Sequence, residues 1–282
     1  MKQMSTTNAQ PSPFLLTKQK LDEKSKPPEV PPIAFQKLSA ADPVKFLKVA
    51  LHGQQKSGKT RGSLTFPGPV YVIATEPGLK PLMRLFPDKE IYFIDVYEVD
   101  PNGLFEVEAT KTLAKIDASV KLIRQKVCEN PESVGTVVVD SVTDVWKWVQ
   151  EWMKVDILKI DKTARVRQQW DWGLANTKYQ NIIMQLLSLP THLVLTAQDK
   201  EEYAGPGEGS GIYSPRWMSQ TAFWVDLIIG LVKIRDPKMG TIKYMSTIED
   251  SRHMNESMSP IAGKEIVDFE YSKLRAILDK KD

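Results

Sequence analysis

The pattern Gly53-x-x-x-x-Gly58-Lys59-Thr60 is the arrangement in this chain whose chemistry is most specific. Glycine at both ends lets the backbone curl until consecutive N–H groups face a polyphosphate. Gln54, Gln55, Lys56 and Ser57 complete the loop. In such a cradle Lys59 reaches the β- and γ-phosphates, and the Thr60 hydroxyl ligates Mg²⁺. A helix starting there adds the positive end of its dipole. Residues 46–60, FLKVALHGQQKSGKT, place the motif after an apolar strand, which is the context a phosphate-binding loop needs. ATP with Mg²⁺ is the expected ligand, although the loop itself does not choose ATP over another nucleoside triphosphate.

Three further positions read as partners of this loop. Val137-Val138-Val139-Asp140-Ser141 is an apolar strand ending in an acid, suited to hold the water shell of Mg²⁺, with Ser141 orienting it. The same ending also serves as a plain helix cap. Glu76 closes the strand VYVIATEPG, where a carboxylate can polarise an attacking water; the alternative is an exposed acid before a Pro-Gly turn. Gln198 closes HLVLTAQ, where an amide can sense the terminal phosphate or simply cap a loop.

The elements that must position these residues alternate regularly from about residue 44. Strands are predicted at 46–52, 69–75, 90–96, 135–140 and 192–198, as near-continuous apolar runs suited to burial on both faces of a parallel sheet. Helical periodicity covers 107–129, 141–160 and 174–189. In the second of these Val142, Val145, Trp146, Val149, Met153 and Ile157 form a stripe toward the sheet. The fold class is therefore α/β: a mostly parallel central sheet flanked by helices, with right-handed crossovers. The last quarter differs, with a β-hairpin (DLIIGLVKI, a turn at Asp236–Gly240, TIKYMSTI) and a closing helix, YSKLRAILDKK. Residues 1–43 are polar and carry Pro11, Pro13, Pro27, Pro28, Pro31 and Pro32, so they read as a flexible arm before a domain spanning 44–282.

Composition narrows the class. At 282 residues, 41% hydrophobic and 26% charged, the chain is ordinary for a globular protein. A net charge of +3 permits a polyanionic partner without demanding one. Cys128 is the sole cysteine, which excludes an internal disulfide and suits a reducing compartment; in KLIRQKVCEN it reads as a small core residue. His52, His192 and His253 are scattered and make no zinc pattern. No run reaches membrane-spanning length, and Phe14-Leu15-Leu16 is too short for a signal-peptide core. A cytoplasmic protein without a membrane partner is expected. Whether its gene is cellular or viral stays open; a phage or virus protein would act in the host cytoplasm.

Phosphate-binding loop, strand-terminal Glu76, Asp140-Ser141 and strand-terminal Gln198 together resemble the RecA-like P-loop ATPase core. With HLVLTAQDKEEY, the glycine-rich segment after it and the carboxyl-terminal hairpin, residues 44–280 look most like RecA/RadA-related ATPases of phages and archaea, several of them associated with single-strand annealing and recombination. The resemblance implies that Lys59 and Thr60 bind phosphate and Mg²⁺, Glu76 activates water, Asp140 supports the metal and Gln198 couples nucleotide to a DNA-facing loop. It implies a ring or filament, with sites between subunits. The family often carries a Lys-x-Arg pair after the last hairpin that acts on a neighbour's nucleotide; here that place reads Glu249-Asp250-Ser251-Arg252, leaving Arg252 as the candidate. A surface ion pair of Arg252 with Glu249 or Asp250 is the alternative. The amino-terminal DNA-binding domain of RadA-type recombinases is expected to be missing, with the short arm in its place.

Two segments would face single-stranded DNA. Residues 154–172 hold Lys154, Lys159, Lys162, Arg165 and Arg167 near Trp170 and Trp172, a mixture able to neutralise phosphates and stack bases; the tryptophans read better as core. Residues 199–219 are glycine-rich and expected to form a mobile loop, with Lys200 and Arg216 as cations and Tyr203, Tyr213 and Trp217 available for stacking. Two other readings of the same core stay open: a nucleotide-dependent regulatory or assembly ATPase that touches no DNA, and a hexameric helicase or packaging motor. Phe14 or Phe35 of the arm could assist assembly by inserting into a neighbour.

Overall fold

The computed structural model describes residues 45–99, 107–166, 171–205, 208–235, 240–255 and 257–280. The arm at 1–43, Arg167, Trp170 and the turn residues 236–239 lie outside them. Among the described residues nine strands form one sheet: β1 (Lys48–Gly53), β2 (Val70–Ala74), β3 (Ile91–Asp95), β4 (Thr136–Asp140), β5 (His192–Gly205), β6 (Glu208–Pro215), β7 (Leu227–Arg235), β8 (Ile242–Ser251) and β9 (Glu265–Val267). Their order is β3-β2-β4-β5-β1-β7-β8-β9, with β6 paired to β5 alone. The six strands from β3 to β7 run parallel; β8, β9 and β6 are antiparallel to their neighbours.

The central strands feed two cores, because successive side chains leave a strand on opposite faces. Ala50, Val137, Val139 and Leu195 go to one core, with α2 (Ala109–Glu129), α3 (Val142–Trp152) and α4 (Trp172–Leu187). Val49, Leu51, Val138 and Val194 go to the other, with α1 (Lys59–Ser63), a 3₁₀ turn at Lys80–Leu85 and α5 (Tyr271–Leu278). This is the expected α/β layering, and the carboxyl-terminal β7–β8 hairpin is present.

Several local expectations are corrected. The edge position of β3 leaves Tyr92, Phe93 and Ile94 exposed, so it is not buried on both faces. After α3 a π turn at Met153–Ile157 interrupts the predicted long helix. Its wider turn swings Ile157 off the stripe into solvent, while Val142, Val145, Val149 and Met153 stay buried. Cys128 is exposed rather than core, because the buried stripe of α2 runs through Val120, Ile123 and Val127, one position short of it. The glycine-rich segment after Gln198 is no open loop: β5 continues to Gly205 and pairs with β6. Tyr203, Ile212 and Tyr213, residue types that favour strands, give it strand character that its glycines disguise.

Candidate functional site

The phosphate-binding loop leaves the carboxyl end of β1 in the middle of the sheet. Gly53 has φ 154° and Gly58 φ 99°. A Cβ on Gly53 would sit 2.2 Å from the Leu231 carbonyl oxygen, so the backbone of β7 runs too close for any other residue. Ser57 Oγ is buried and has no hydrogen-bond partner among the described residues. A phosphate oxygen would satisfy it, since buried polar groups are normally paired. Lys59 Nζ donates to the carbonyls of Gly53 and Gln54, both at 2.8 Å, and so lies folded over the loop. Burial lowers its pKa, while the negative charges of Asp140, Asp199 and Glu76 pull it back up. The helix α1 is only five residues long, little more than one turn. Its dipole is therefore small, and the loop's own N–H groups must supply most of the positive field. A cleft of about 500 Å³ opens over the loop, with Leu82, Leu85, Tyr244 and Met245 forming its apolar side.

Strand register brings the other predicted residues to the same edge. Gly53 lies beside Gln198, Asp140 beside Thr196, and Ala74, two residues before Glu76, beside Asp140. Thr60 Oγ1 donates to Asp140 Oδ2 at 2.8 Å, and Thr196 Oγ1 donates to Asp140 Oδ1. A hydroxyl beside a carboxylate is the hard oxygen set that Mg²⁺ accepts when phosphates and waters complete its shell. Gln198 Nε2 donates to Glu76 Oε1 at 2.8 Å. Partial burial raises the pKa of Glu76, helped by Asp144 and Asp140 nearby and opposed by the Gln198 hydrogen bond and Lys59. The peptide between Asp140 and Ser141 is cis. Ser141 does not point at Asp140: its hydroxyl and that of Thr75 both donate to Asp144 Oδ2 at 2.8 Å. Sequence reasoning missed this hydroxyl scaffold of Thr75, Thr143, Asp144 and Thr196, since single threonines in apolar strands carry no distinctive spacing.

His52 was also missed. It is 3% exposed, with Nδ1 2.9 Å from Asp199 Oδ1 and Nε2 2.8 Å from Glu249 Oε2. Burial works against the charged ring, but hydrogen bonds and charge from both carboxylates outweigh it and raise the pKa to about 9. The signal available was a polar residue at an inward position of the central strand, which must find buried partners. A group whose folded pKa is raised stabilises the fold fully below its unfolded value, here 6.5, and loses that contribution as pH rises through about 9. Melting temperature should thus exceed that of His52→Gln by most near pH 6, and the gap should close toward pH 10. A constant gap across that range would show that the ring is not charged in the fold.

The cationic candidates divide. Lys159, Lys162 and Arg165 are exposed beyond the π turn, with Lys154 Nζ donating to the Lys162 carbonyl. Arg216 is exposed and faces a second cleft of about 500 Å³, shared with Lys147, Lys200 and Gln198. Trp172 and Trp217 are partly buried against the core, and Trp217 also lines that second cleft, whereas Tyr203 and Tyr213 are exposed. Arg252 is not brought to the nucleotide cleft. Ser251 pairs with Leu227, the amino-terminal residue of a parallel strand, so Arg252 stands at the opposite edge, where its guanidinium donates to the Phe223 carbonyl. It forms neither of the ion pairs considered for it. Among the described residues no group of His, Cys, Asp or Glu could hold a metal by itself, and no helix is long and apolar enough to cross a membrane.

No curated protein matches the chain. The family model described as AAA domain matches residues 45–252, well over half of the sequence, and the match takes in the loop, Glu76, Asp140 and Gln198. The chain belongs to the AAA domain family and is a P-loop ATPase domain.

Proposed function

We propose that this ATPase couples ATP hydrolysis to the binding of single-stranded DNA, as a RecA-like protein of recombination, annealing or repair that works as a ring or filament. In this reading Gly53 to Thr60 bind the phosphates, Thr60 and Asp140 hold Mg²⁺, and Glu76 is the general base. The bound Mg²⁺ would neutralise charge between the β- and γ-phosphates. The observation that carries the DNA half is the double position of Gln198. Its amide donates to Glu76, and the same residue lines the cleft occupied by Lys147, Lys200 and Arg216. One side chain thus touches the candidate base and a basic surface able to take a phosphodiester. Exposed Tyr203 and Tyr213 on the adjoining hairpin offer rings for sequence-tolerant stacking. In this reading the exposed Lys159, Lys162 and Arg165 supply further cations for the strand, while Arg167 lies outside the described residues. The position of Arg252 is compatible with action on a neighbour's nucleotide alone.

The test is ATP turnover with and without single-stranded DNA, at two salt concentrations. Stimulation is expected, and replacing Lys147, Lys200 and Arg216 together with alanine should weaken DNA binding and lower its salt slope by roughly 2 to 3. Absence of stimulation by any single strand favours a regulatory ATPase, and unwinding of a forked duplex favours a motor. Unchanged affinity and slope in the triple variant would remove this cleft from the DNA surface.

A further inference from the structure

His52 is buried between a buried carboxylate, Asp199, and a half-exposed one, Glu249, next to the phosphate-binding loop, and nothing in the catalytic reading uses this cluster. His52 immediately precedes Gly53 on β1, and Asp199 immediately follows Gln198 on β5. Their side chains meet at 2.9 Å. The second carboxylate, Glu249, belongs to β8, which is separated from β1 by the whole width of β7. It reaches the ring only because β7 carries Gly230 at the crossing. A Cβ there would lie 2.2 Å from Glu249 Oε1 and 3.4 Å from His52 Cε1. Trp217, just beyond β6, seals the ring edge-on with centroids 6.2 Å apart. The charged groups facing His52 are Asp199 from β5 and Glu249 from β8, and Lys59 from α1 feels Asp199 in turn. Asp199 is 7% exposed in its side chain, and His52 is its only ion-pair partner among the described residues. A buried carboxylate of this kind holds its place only while its partner is present.

We propose that His52 is a positioning residue: clamped between Asp199 and Glu249, it fixes the root of the β5–β6 hairpin against the strand that launches the phosphate-binding loop, so that Gln198 stays on Glu76 and nucleotide occupancy is felt in the hairpin. The inference rests on the ATPase reading and adds the route by which that site communicates with the hairpin. It acts through Asp199 and Gln198, without touching nucleotide. Loss of the clamp frees the amide rather than the phosphate grip, so turnover falls while binding persists. Misplacement of a catalytic group by about 1 Å is enough for a loss of the order of a hundredfold.

The experiment uses the full chain, a non-hydrolysable ATP analogue with Mg²⁺, and hydrogen exchange read by mass spectrometry, alongside steady-state turnover. In the unaltered protein the analogue should protect residues 53–63 and also residues 199–215. In His52→Phe and in Gly230→Ala, which displaces Glu249, protection at 53–63 should remain while protection at 199–215 disappears. Turnover should drop roughly ten- to a hundredfold with KM little changed. His52→Gln, able to keep a hydrogen bond without the charge, should recover part of the loss. It should also lack the fall in kcat expected of the unaltered protein as pH passes about 9. Retained protection and turnover in both His52→Phe and Gly230→Ala would overturn the proposal, as would loss of protection at 53–63 together with the hairpin, which marks a merely structural ring. No protection at 53–63 in the unaltered protein would instead bring down the nucleotide reading, and the inference with it.

Discussion

Lys59→Ala is expected to reduce ATP turnover by about 10²- to 10³-fold, the scale set by removing one preorganised charge-stabilising donor from a transition state. The ammonium already bridges the carbonyls of Gly53 and Gln54, so its position over the loop is held before any nucleotide arrives. Burial lowers its pKa, but Asp140, Asp199 and Glu76 surround it and favour the charged form. Alanine leaves those carboxylates facing the phosphates with no cation between them. Both binding and hydrolysis should therefore suffer, and calorimetric titration with Mg²⁺ and ATP analogue should show weakened binding beside the kinetic loss. The fold should survive, because Lys59 packs against the loop and supports neither core. Near-normal turnover in a folded Lys59→Ala protein would refute the site assignment.

Glu76→Gln should separate chemistry from binding. The substitution preserves shape, and an amide can still accept from Gln198 Nε2 through its oxygen, as Glu76 Oε1 does at 2.8 Å. What it cannot do is take a proton from water. Loss of a general base typically costs 10²- to 10⁴-fold, so kcat should fall by about that factor with nucleotide affinity unchanged. Burial and the nearby carboxylates Asp144 and Asp140 hold the Glu76 pKa above the usual carboxylate value. The acid limb of kcat in the unaltered protein should accordingly lie above the range of an ordinary glutamate and vanish in Glu76→Gln. Single-turnover kinetics read both. A variant that hydrolyses ATP at the normal rate would assign the base elsewhere, with Asp144 the next carboxylate along the edge.

That the candidate residues share one edge of the sheet was readable before the fold was known, and for a definite reason. A phosphate-binding loop is local: its function depends on backbone shape over eight residues, and Gly53, Gly58, Lys59 and Thr60 carry that shape in their spacing. Apolar strands ending in Glu76, Asp140 and Gln198 are local too, and parallel strands in one sheet place their carboxyl ends on one edge by necessity. The misreadings share a cause as well. Cys128 and Ile157 fell on or near an ideal helical stripe, yet a shift of one residue on α2 and a π turn after α3 moved both into water. The glycines of 208–215 argued for a loop, but backbone pairing with β5 overrode propensity, as it does when an edge partner is available.

From the sequence alone came the triphosphate cradle, the alternation of strands and helices, and the carboxyl-terminal hairpin, all of them consequences of periodicity within one segment. Only the tertiary structure decided that His52 lies between Asp199 and Glu249, 147 and 197 residues away, and that Arg252 stands at the far edge. Strand order sets those neighbours, and it follows from how whole elements pack, which no local pattern of residues encodes.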